Sequence, residues 1–256
     1  MASIKALLFD FGGTLDGAGR HWLDRFVDAY RAAGLEIGRE QLDPAFSHAT
    51  QKGYLAGERL RGWGLRQLCE FLVEAQLQHL SENTPVSIAH ELKRESADGT
   101  RYVARISDYF CAQSSAAFAG NIRLLSKLAS RFTLGVVSNF YGNLDTVLSE
   151  AGLLGFFTVV VDSSRVQIFK PDPRIFNCAL EKLGLPAAKA AMVGDSIDKD
   201  CMPARKIGMK TILLTAPDNS LKPANADLVS RTKVVQTSLP VDHVIHSLEE
   251  LVDIQW

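Results

Sequence analysis

The chain has 256 residues, of which 46% are hydrophobic and 22% are charged, and its formal net charge is −1. This composition is typical of a globular protein with one large domain or a domain and a smaller lobe, and it excludes collagen-like and low-complexity chains. The 28 basic and 29 acidic residues leave no net field that would attract nucleic acid or an anionic membrane surface. No apolar run approaches the roughly 18–20 residues that span a bilayer. The four cysteines form no CxxC pair, which predicts reduced thiols and a cytoplasmic protein.

Five short apolar runs are distributed along the chain, and helical patterns separate most of them. Uniformly apolar runs of this length are typical of strands that are buried on both faces of a parallel sheet. We therefore predict an α/β fold with a doubly wound, mainly parallel sheet. The predicted strands are Lys5–Phe11, Phe132–Ser138, Thr158–Asp162, Ala190–Asp195 and Met209–Thr215.

The stretch between the first and second predicted strands contains only helical patterns. Periodic apolar residues predict helices over His21–Ala33, Leu65–Leu80 and Arg101–Phe118. A helical insertion of this length forms a second lobe, so we expect an α-helical cap domain over residues 16–113 and a core domain over residues 1–15 and 114–256. The expected core helices are Asn121–Arg131, Asp145–Leu153, Pro173–Leu183 and Met202–Ile207, with an amphipathic segment at Asp242–Ile254.

Polar residues stand where several of the predicted strands end. Asp10, Ser138–Asn139 and Asp195 follow three different strands, and ligands of open α/β sheets bind at the carboxyl ends of the strands. We therefore expect these side chains to converge in one crevice. Neighbouring carboxylates repel each other, and Mg²⁺ relieves that repulsion while it keeps several of its own waters. The sequence predicts a Mg²⁺ site between Asp10 and Asp195.

Three further features complete the predicted site. Asp200 follows Asp195 closely, where a loop is expected to become a helix, and can brace the same ion. Lys170 supplies a positive charge. Gly12 and Gly13 let the backbone turn sharply and present N–H groups to an anion. Together these groups favour an anionic ligand that is held by a local site rather than by the overall charge of the protein.

Four segments, in this order, resemble the motifs of the haloacid dehalogenase-like (HAD) hydrolase superfamily. They are DFGGTL at Asp10–Leu15, VVSN at Val136–Asn139, KPDP at Lys170–Pro173 and GDSIDKD at Gly194–Asp200. The resemblance covers the whole predicted α/β part of the chain and implies a Rossmann-like core. The helical insertion after the first motif is similar to the helical cap of that family.

The resemblance implies a Mg²⁺-dependent hydrolase and favours a phosphatase of small phosphorylated metabolites. In such an enzyme Asp10 would be the nucleophile and would form an aspartyl-phosphate that water hydrolyses. Ser138 and Lys170 would act on the transferring phosphoryl group, and the full phosphate site would be Gly12, Gly13, Ser138, Asn139 and Lys170. The metal ligands would be Asp10, the backbone carbonyl of Gly12, Asp195 and Asp200. No nucleic acid or membrane partner is expected, and the formation of a homodimer stays open.

The chain departs from the family pattern at Gly12. Phosphatases of this superfamily usually carry a second aspartate there, which acts as general acid and base. Such catalysis is typically worth ~10²–10⁴ in rate, so alkyl phosphates would be hydrolysed slowly. Dehalogenases of the superfamily also lack that aspartate and share a Ser-Asn second motif. They work without Mg²⁺, however, and do not normally carry the Gly194–Asp195 pair, so a dehalogenase is open but less favoured.

Individual residues leave two more functions open. A phosphonate hydrolase tolerates a small residue at position 12 but needs a cap lysine, for which Lys52 and Lys93 are candidates. A binding or regulatory module with little turnover is supported by Gly12 alone.

Asp16 is a candidate for the missing acid, although turn capping or exposure to water is the more ordinary role for it. His21 is a candidate substrate contact, whereas Trp22 is expected to pack within the cap.

Overall fold

The computed structural model of the chain describes residues 3–83, 99–216 and 239–255. Its centre is one six-stranded sheet, in which all neighbouring strands are parallel and the order is β3-β2-β1-β4-β5-β6. The predicted α/β fold with a parallel sheet is therefore confirmed, and each of the five predicted strands is present and slightly shorter than predicted. The strands are β1 (Ala6–Phe9), β2 (Thr133–Ser138), β3 (Val159–Asp162), β4 (Ala190–Gly194), β5 (Lys210–Leu214) and β6 (His243–Ile245).

The central strand β1 shows why these apolar runs fold as strands. Successive side chains of a strand point to opposite faces, so a strand with a layer on each side must be apolar throughout. Leu7 and Phe9 pack in one hydrophobic cluster, and Ala6 and Leu8 pack in the other. All four are completely buried.

The last strand lies within the predicted amphipathic segment Asp242–Ile254. Part of this segment is the edge strand His243–Ile245, which pairs with β5, and a short 3₁₀ helix at Leu248–Val252 follows. Three residues are too few to show an alternating pattern, so only the pairing with β5 defines the strand.

Eight α-helices lie in the described part of the chain. Four of them, in the region that we predicted as helical, are α1 (Trp22–Ala32), α2 (Arg39–Ala56), α3 (Leu65–Asn83) and α4 (Gly99–Ala129). The others are α5 (Leu144–Glu150), α6 (Ser163–Val166), α7 (Arg174–Leu183) and α8 (Met202–Lys206). None of the described helices is long and apolar enough to cross a membrane.

Helix α4 differs from the prediction because it is a single helix where we expected two. Its 31 residues run through Gly120, which lies between the predicted helices, and also through the expected domain boundary at residue 113. A glycine inside a helix costs only about 1 kcal/mol, while a buried leucine contributes about 1.5–3 kcal/mol. Phe118, Leu124 and Leu125 are buried on both sides of the glycine, so packing maintains the helix.

Candidate active site

Asp10 lies directly after β1 and begins a tight turn. Its backbone N–H donates to the carbonyl of Val193 on β4 at 2.9 Å, which places the end of β1 beside the end of β4. The turn at Phe11–Leu15 needs glycine at position 13, where φ is +87° and a Cβ atom would overlap the carboxylate of Asp195. The first and fourth motifs are therefore in direct contact through Gly13.

The ammonium group of Lys170 lies between two carboxylates. Its Nζ is 2.6 Å from Oδ1 of Asp10 and 2.5 Å from Oδ1 of Asp200, and all three side chains are buried. Burial alone would lower the pKa of Lys170, but the negative charges of Asp10 and Asp200 raise it above its ordinary value. Lys170 is thus a fixed positive charge beside Asp10.

Asn139 holds the backbone of Lys170 in place. Its Nδ2 donates to the carbonyl of Lys170 at 2.9 Å, and its Oδ1 accepts the backbone N–H of Lys170 at 2.8 Å. Because one amide side chain satisfies both backbone groups, it fixes the lysine relative to the end of β2. The described contacts of Asn139 therefore explain how the second and third motifs are held together.

Three carboxylates form an acidic cluster, which is composed of Asp10, Asp195 and Asp200. Each offers an oxygen atom, and these atoms all lie within 4.8 Å of one another. Burial and the charge of Asp10 raise the pKa of Asp200 to about 6, although Lys170 opposes the shift. Removal from water and the charges of Asp10 and Asp200 raise the pKa of Asp195 well above its ordinary value. A hard divalent cation with oxygen ligands fits this cluster, because it would relieve the repulsion between the carboxylates.

The acidic cluster lines a cavity of about 110 Å³. Most of the predicted site residues line this cavity together, namely Asp10, Gly12, Ser138, Asn139, Lys170, Asp195 and Asp200. Gly13 is absent from the lining, and its N–H donates to Oδ1 of Asp16 at 2.7 Å, so that group is used within the turn rather than by a ligand in the cavity. Every predicted site residue except Gly13 therefore lines the cavity, and Gly13 lies against Asp195.

Trp22 occupies the place beside Gly12. A Cβ atom at position 12 would lie 3.3 Å from Nε1 of Trp22. The indole N–H donates to Oδ2 of Asp16 at 2.8 Å, and the ring contacts Phe110 and Phe140 edge to face. Trp22 therefore packs as expected, but it also forms part of the cavity wall.

Asp16 is not among the residues that line the cavity. Besides the N–H groups of Gly13 and Trp22, it accepts a hydrogen bond from Nη1 of Arg25 at 2.7 Å, and its side chain is completely buried. All of these donors hold the carboxylate away from the cavity that contains Asp10. Of its two expected roles, turn capping agrees with the hydrogen bond from Gly13 and exposure to water is wrong. The contacts with Trp22 and Arg25 join the turn to α1.

His21 lines the cavity at the start of α1. Its Nδ1 accepts the backbone N–H of Leu23 at 3.2 Å, which assigns the proton of the neutral ring to Nε2. Burial is the largest cause that lowers the pKa of His21, and Lys199 and Arg39 lower it further, against the charges of Asp24 and Asp10. A neutral imidazole whose Nε2 has no hydrogen-bond partner among the described residues therefore lines the cavity.

The sequence analysis missed several cavity residues. They are aromatic or polar side chains at three places in the fold: Phe46, Thr50 and Tyr54 on α2, Phe140 and Tyr141 after β2, and Ser196 and Lys199 after β4. The first three are four residues apart, a spacing that indicates one face of a helix. That spacing is the signal that the sequence offered, but it is shared by any helix face that packs against a core.

Comparison with known proteins shows the class to which this fold and site belong. The family model for haloacid dehalogenase-like hydrolases matches residues 65–214. The zebrafish (Danio rerio) haloacid dehalogenase-like hydrolase domain-containing protein 3 is 35% identical over 253 residues, which cover 97% of this chain and 95% of that protein. The chain therefore belongs to the haloacid dehalogenase-like hydrolase family, and the resemblance that the four motifs indicated is confirmed.

Two further proteins that this chain resembles have different activities. The glyceraldehyde 3-phosphate phosphatase of Methanocaldococcus jannaschii is 33% identical over 107 residues, which cover 42% of this chain and 41% of that protein. The crystal structure of a 2-haloacid dehalogenase from Pseudomonas syringae has a TM-score of 0.51 and 21% identity, and the match covers 98% of this chain and 97% of that one. The second likeness shows the fold alone.

Proposed function

We propose that this hydrolase is a Mg²⁺-dependent phosphatase of small phosphorylated compounds, with Asp10 as its nucleophile. The position of Lys170 carries the proposal, because its ammonium contacts both Asp10 and Asp200 beside the remaining carboxylate of the acidic cluster. A fixed cation at this point favours a dianionic phosphoryl group next to an ionised nucleophile. The relationship to an archaeal phosphatase supports the same assignment.

The acidic cluster would hold the Mg²⁺ ion, together with the backbone carbonyl of Gly12. All of these ligands are hard oxygen atoms, and Mg²⁺ commonly takes one or two carboxylates and retains several waters. When bound, the ion supplies positive charge that offsets the negative charge on the phosphoryl oxygens. Gly194 suits this arrangement, because a Cβ atom there would overlap the carboxylate of Asp200.

The proposed reaction has two steps on Asp10. In the first, a carboxylate oxygen of Asp10 forms a bond to phosphorus, and the bond from phosphorus to the leaving oxygen breaks with its electron pair on that oxygen. In the second, water attacks the phosphorus of the aspartyl-phosphate and releases inorganic phosphate and the free carboxylate. The proton that water loses balances the proton that the leaving alkoxide takes up. Ser138 and Lys170 hold the phosphoryl oxygens during both steps.

A dehalogenase is the second candidate, because Gly12 lacks the carboxylate of typical phosphatases and the Ser138–Asn139 pair is shared. The close approach of Asp195 and Asp200 to Asp10 favours the phosphatase, since a metal-free dehalogenase has no use for three converging carboxylates. For a phosphonate hydrolase, Lys52 of α2 is unsuitable because its ammonium donates to Gln78 of α3 and because it is absent from the cavity lining. Lys93 lies outside the described residues.

One assay separates these functions. The protein is incubated with 4-nitrophenyl phosphate or with 2-chloropropionate, each in Mg²⁺ and in a chelator. The proposal expects nitrophenol release that requires Mg²⁺ and no chloride release. Chloride release in the chelator would instead establish a dehalogenase. Turnover of neither compound, together with phosphate binding, would identify a binding module and overturn the proposed function.

A further inference from the structure

The lining of the cavity at Asp10 includes two chemically different sets of side chains, which we call its polar half and its aromatic half. One half contains the acidic cluster and Lys170. The other half is lined by aromatic rings from three different elements, which are Trp22, Phe46, Tyr54, Phe140 and Tyr141. A phosphoryl group needs only the polar half, so the aromatic half is available to the group that the phosphate is attached to.

Helix α2 supplies one wall of the aromatic half. Phe46, Thr50 and Tyr54 are four residues apart and therefore lie on one face of the helix, and all three line the cavity. Leu55, on the same helix, points away from this face and is 85% exposed. Tyr54 lies within the field of the catalytic charges, since Lys170 and Asp10 are among the groups that influence its pKa, which burial raises to about 12.

Neighbouring rings hold this wall in place. The ring of Tyr54 lies 5.1 Å from that of Tyr141 and 5.1 Å, edge to face, from that of Phe169, the residue before Lys170. The ring of Phe46 lies 5.8 Å from the imidazole of His21, also edge to face. A pocket whose walls are already ordered loses little conformational entropy when a ligand enters.

We propose that the aromatic half is a subsite for the leaving group, and that the substrates are phosphate monoesters of small aromatic alcohols. This inference rests on the proposed function, and it names the substrate class. The phosphoryl group would lie between Asp10 and Lys170, and the aromatic ring of the substrate would pack against Phe46 and Tyr54. Aromatic rings prefer edge-to-face or offset contacts, which the flat walls of this subsite offer.

Sugar and polyol phosphates fit this subsite less well. Against the rings of Phe46 and Phe140 their hydroxyl groups would lose water without gaining a hydrogen-bond partner, and Thr50 and His21 would satisfy only some of them. The ring of an aromatic alcohol has no such groups. Gly12 provides no carboxylic acid that could protonate the leaving oxygen. This agrees with the preference for those aromatic alcohols that are phenols, because phenolic oxygens leave more readily than alkoxides without a proton donor.

The test compares substrates whose leaving groups have similar basicity, so that only recognition differs. Benzyl phosphate and glycerol 1-phosphate are both esters of primary alcohols, and we expect kcat/KM to be at least tenfold higher for benzyl phosphate. Acetyl phosphate, which has no ring, reports hydrolysis independently of the subsite. Equal kcat/KM values for benzyl and glycerol phosphates would overturn the inference, whereas failure with all three compounds would overturn the proposed function.

Variants in α2 test whether its aromatic side chains cause the preference for benzyl phosphate. In Phe46→Ala and Tyr54→Ala, the ratio of kcat/KM for benzyl phosphate to that for acetyl phosphate should fall at least fivefold. Tyr54→Phe should retain the ratio because it keeps the ring, and Leu55→Ala is the matched control on the exposed side. A ratio that stays constant in both alanine variants would contradict the inference.

Binding without turnover provides an independent measurement. Benzylphosphonate and methylphosphonate share a head group that the proposed reaction cannot hydrolyse, and calorimetry with the Mg²⁺-loaded wild-type protein should give at least tenfold tighter binding of benzylphosphonate. If this difference is found and depends on Tyr54 while all phosphates resist hydrolysis, the subsite stands and the proposed function fails. Equal affinities would overturn the subsite.

Discussion

At the scale of single residues, Asp10 can be tested by a change that keeps its shape. Asn is nearly isosteric with Asp but is a poor nucleophile, so Asp10→Asn should lower kcat by about 10³-fold or more. The amide oxygen can still accept a hydrogen bond from Lys170, and the fold should therefore persist. Steady-state hydrolysis of 4-nitrophenyl phosphate, with circular dichroism as the check on folding, measures the effect.

Asp172→Asn is the matched control, because Asp172 lies outside the cavity and pairs with Arg174. Activity within tenfold of wild type in Asp10→Asn would remove Asp10 from the nucleophile role.

Gly12 is the residue that separates this chain from typical phosphatases of its family. Any residue can adopt the backbone conformation at Gly12 (φ −72°, ψ 115°). The only steric obstacle to Gly12→Asp that the neighbouring atoms present is therefore the contact with the indole of Trp22. Because general acid catalysis contributes ~10²–10⁴, we expect turnover of alkyl phosphates to rise by about 10-fold even if the indole must shift. Aryl phosphates should gain less, since their leaving groups need less protonation. The measurement is a series of substrates with graded leaving-group pKa.

Gly12→Asn is the control for that series. It has the size of aspartate and meets the same indole of Trp22, but it carries no acidic proton. A gain in both variants would mean that bulk at position 12, rather than proton transfer, changes the rate.

At the scale of elements, a buried ion pair connects the turn after β1 to two helices. Arg25 of α1 binds Asp16, and its Nη2 donates to Oγ of Ser114 on α4 at 2.6 Å. Its guanidinium also stacks 4.0 Å from the ring centroid of Phe110. Removal of one partner leaves an uncompensated buried charge, so Arg25→Met should lower the free energy of unfolding by about 3–5 kcal/mol. Urea denaturation measures this loss.

Two further variants make the ion-pair prediction specific. Arg61→Met removes an exposed arginine near Glu58 and should change the free energy of unfolding by about 1 kcal/mol or less. The double variant Asp16→Asn/Arg25→Met removes both buried charges and should be more stable than Arg25→Met alone. If Arg25→Met and Arg61→Met lose the same stability, the buried pair does not connect these elements energetically.

At the scale of the whole molecule, the acidic cluster links stability to pH and metal. The folded-state pKa of Asp200 is about 6, above its ordinary 3.8, so the folded protein binds this proton more tightly than the unfolded chain does. The contribution to stability is therefore greatest below the ordinary pKa and is lost as pH rises through the folded value. Without metal, we expect Tm to decline between about pH 4 and pH 7 from this source.

Mg²⁺ should reverse that trend. Its ligands must be deprotonated, so binding strengthens as pH rises, and the increase in Tm with Mg²⁺ should be larger at about pH 8 than at about pH 5. Thermal unfolding in Mg²⁺ and in chelator at both pH values tests this expectation. Asp195→Asn, which removes one ligand, should reduce the increase. A Tm that does not respond to Mg²⁺ at either pH would contradict the assignment of the acidic cluster as a metal site.

The parallel sheet could be predicted from local patterns because strands buried on both faces are continuously apolar. Asp10 and Asp195 could be predicted to meet for a related reason, since polar residues that end neighbouring parallel strands share one edge of the sheet. Unlike the pairing of β1 with β4, the strands and the polar residues at their ends are set by the sequence within a few residues. They are therefore visible in the linear sequence.

Other features depend on contacts between distant segments, and only the tertiary structure decided them. Strand β6 exists because it pairs with β5, and α4 continues through Gly120 because packing outweighs helix propensity. Asp16 is a buried partner of Arg25 rather than a surface residue, although its neighbours in the sequence resemble any exposed turn. The aromatic wall of α2 has the same period as a core-packing face, and its position above Asp10 follows from how the helices pack. Local chemistry thus determined the fold class and the polar half of the site, whereas long-range packing determined the surroundings of the reacting group.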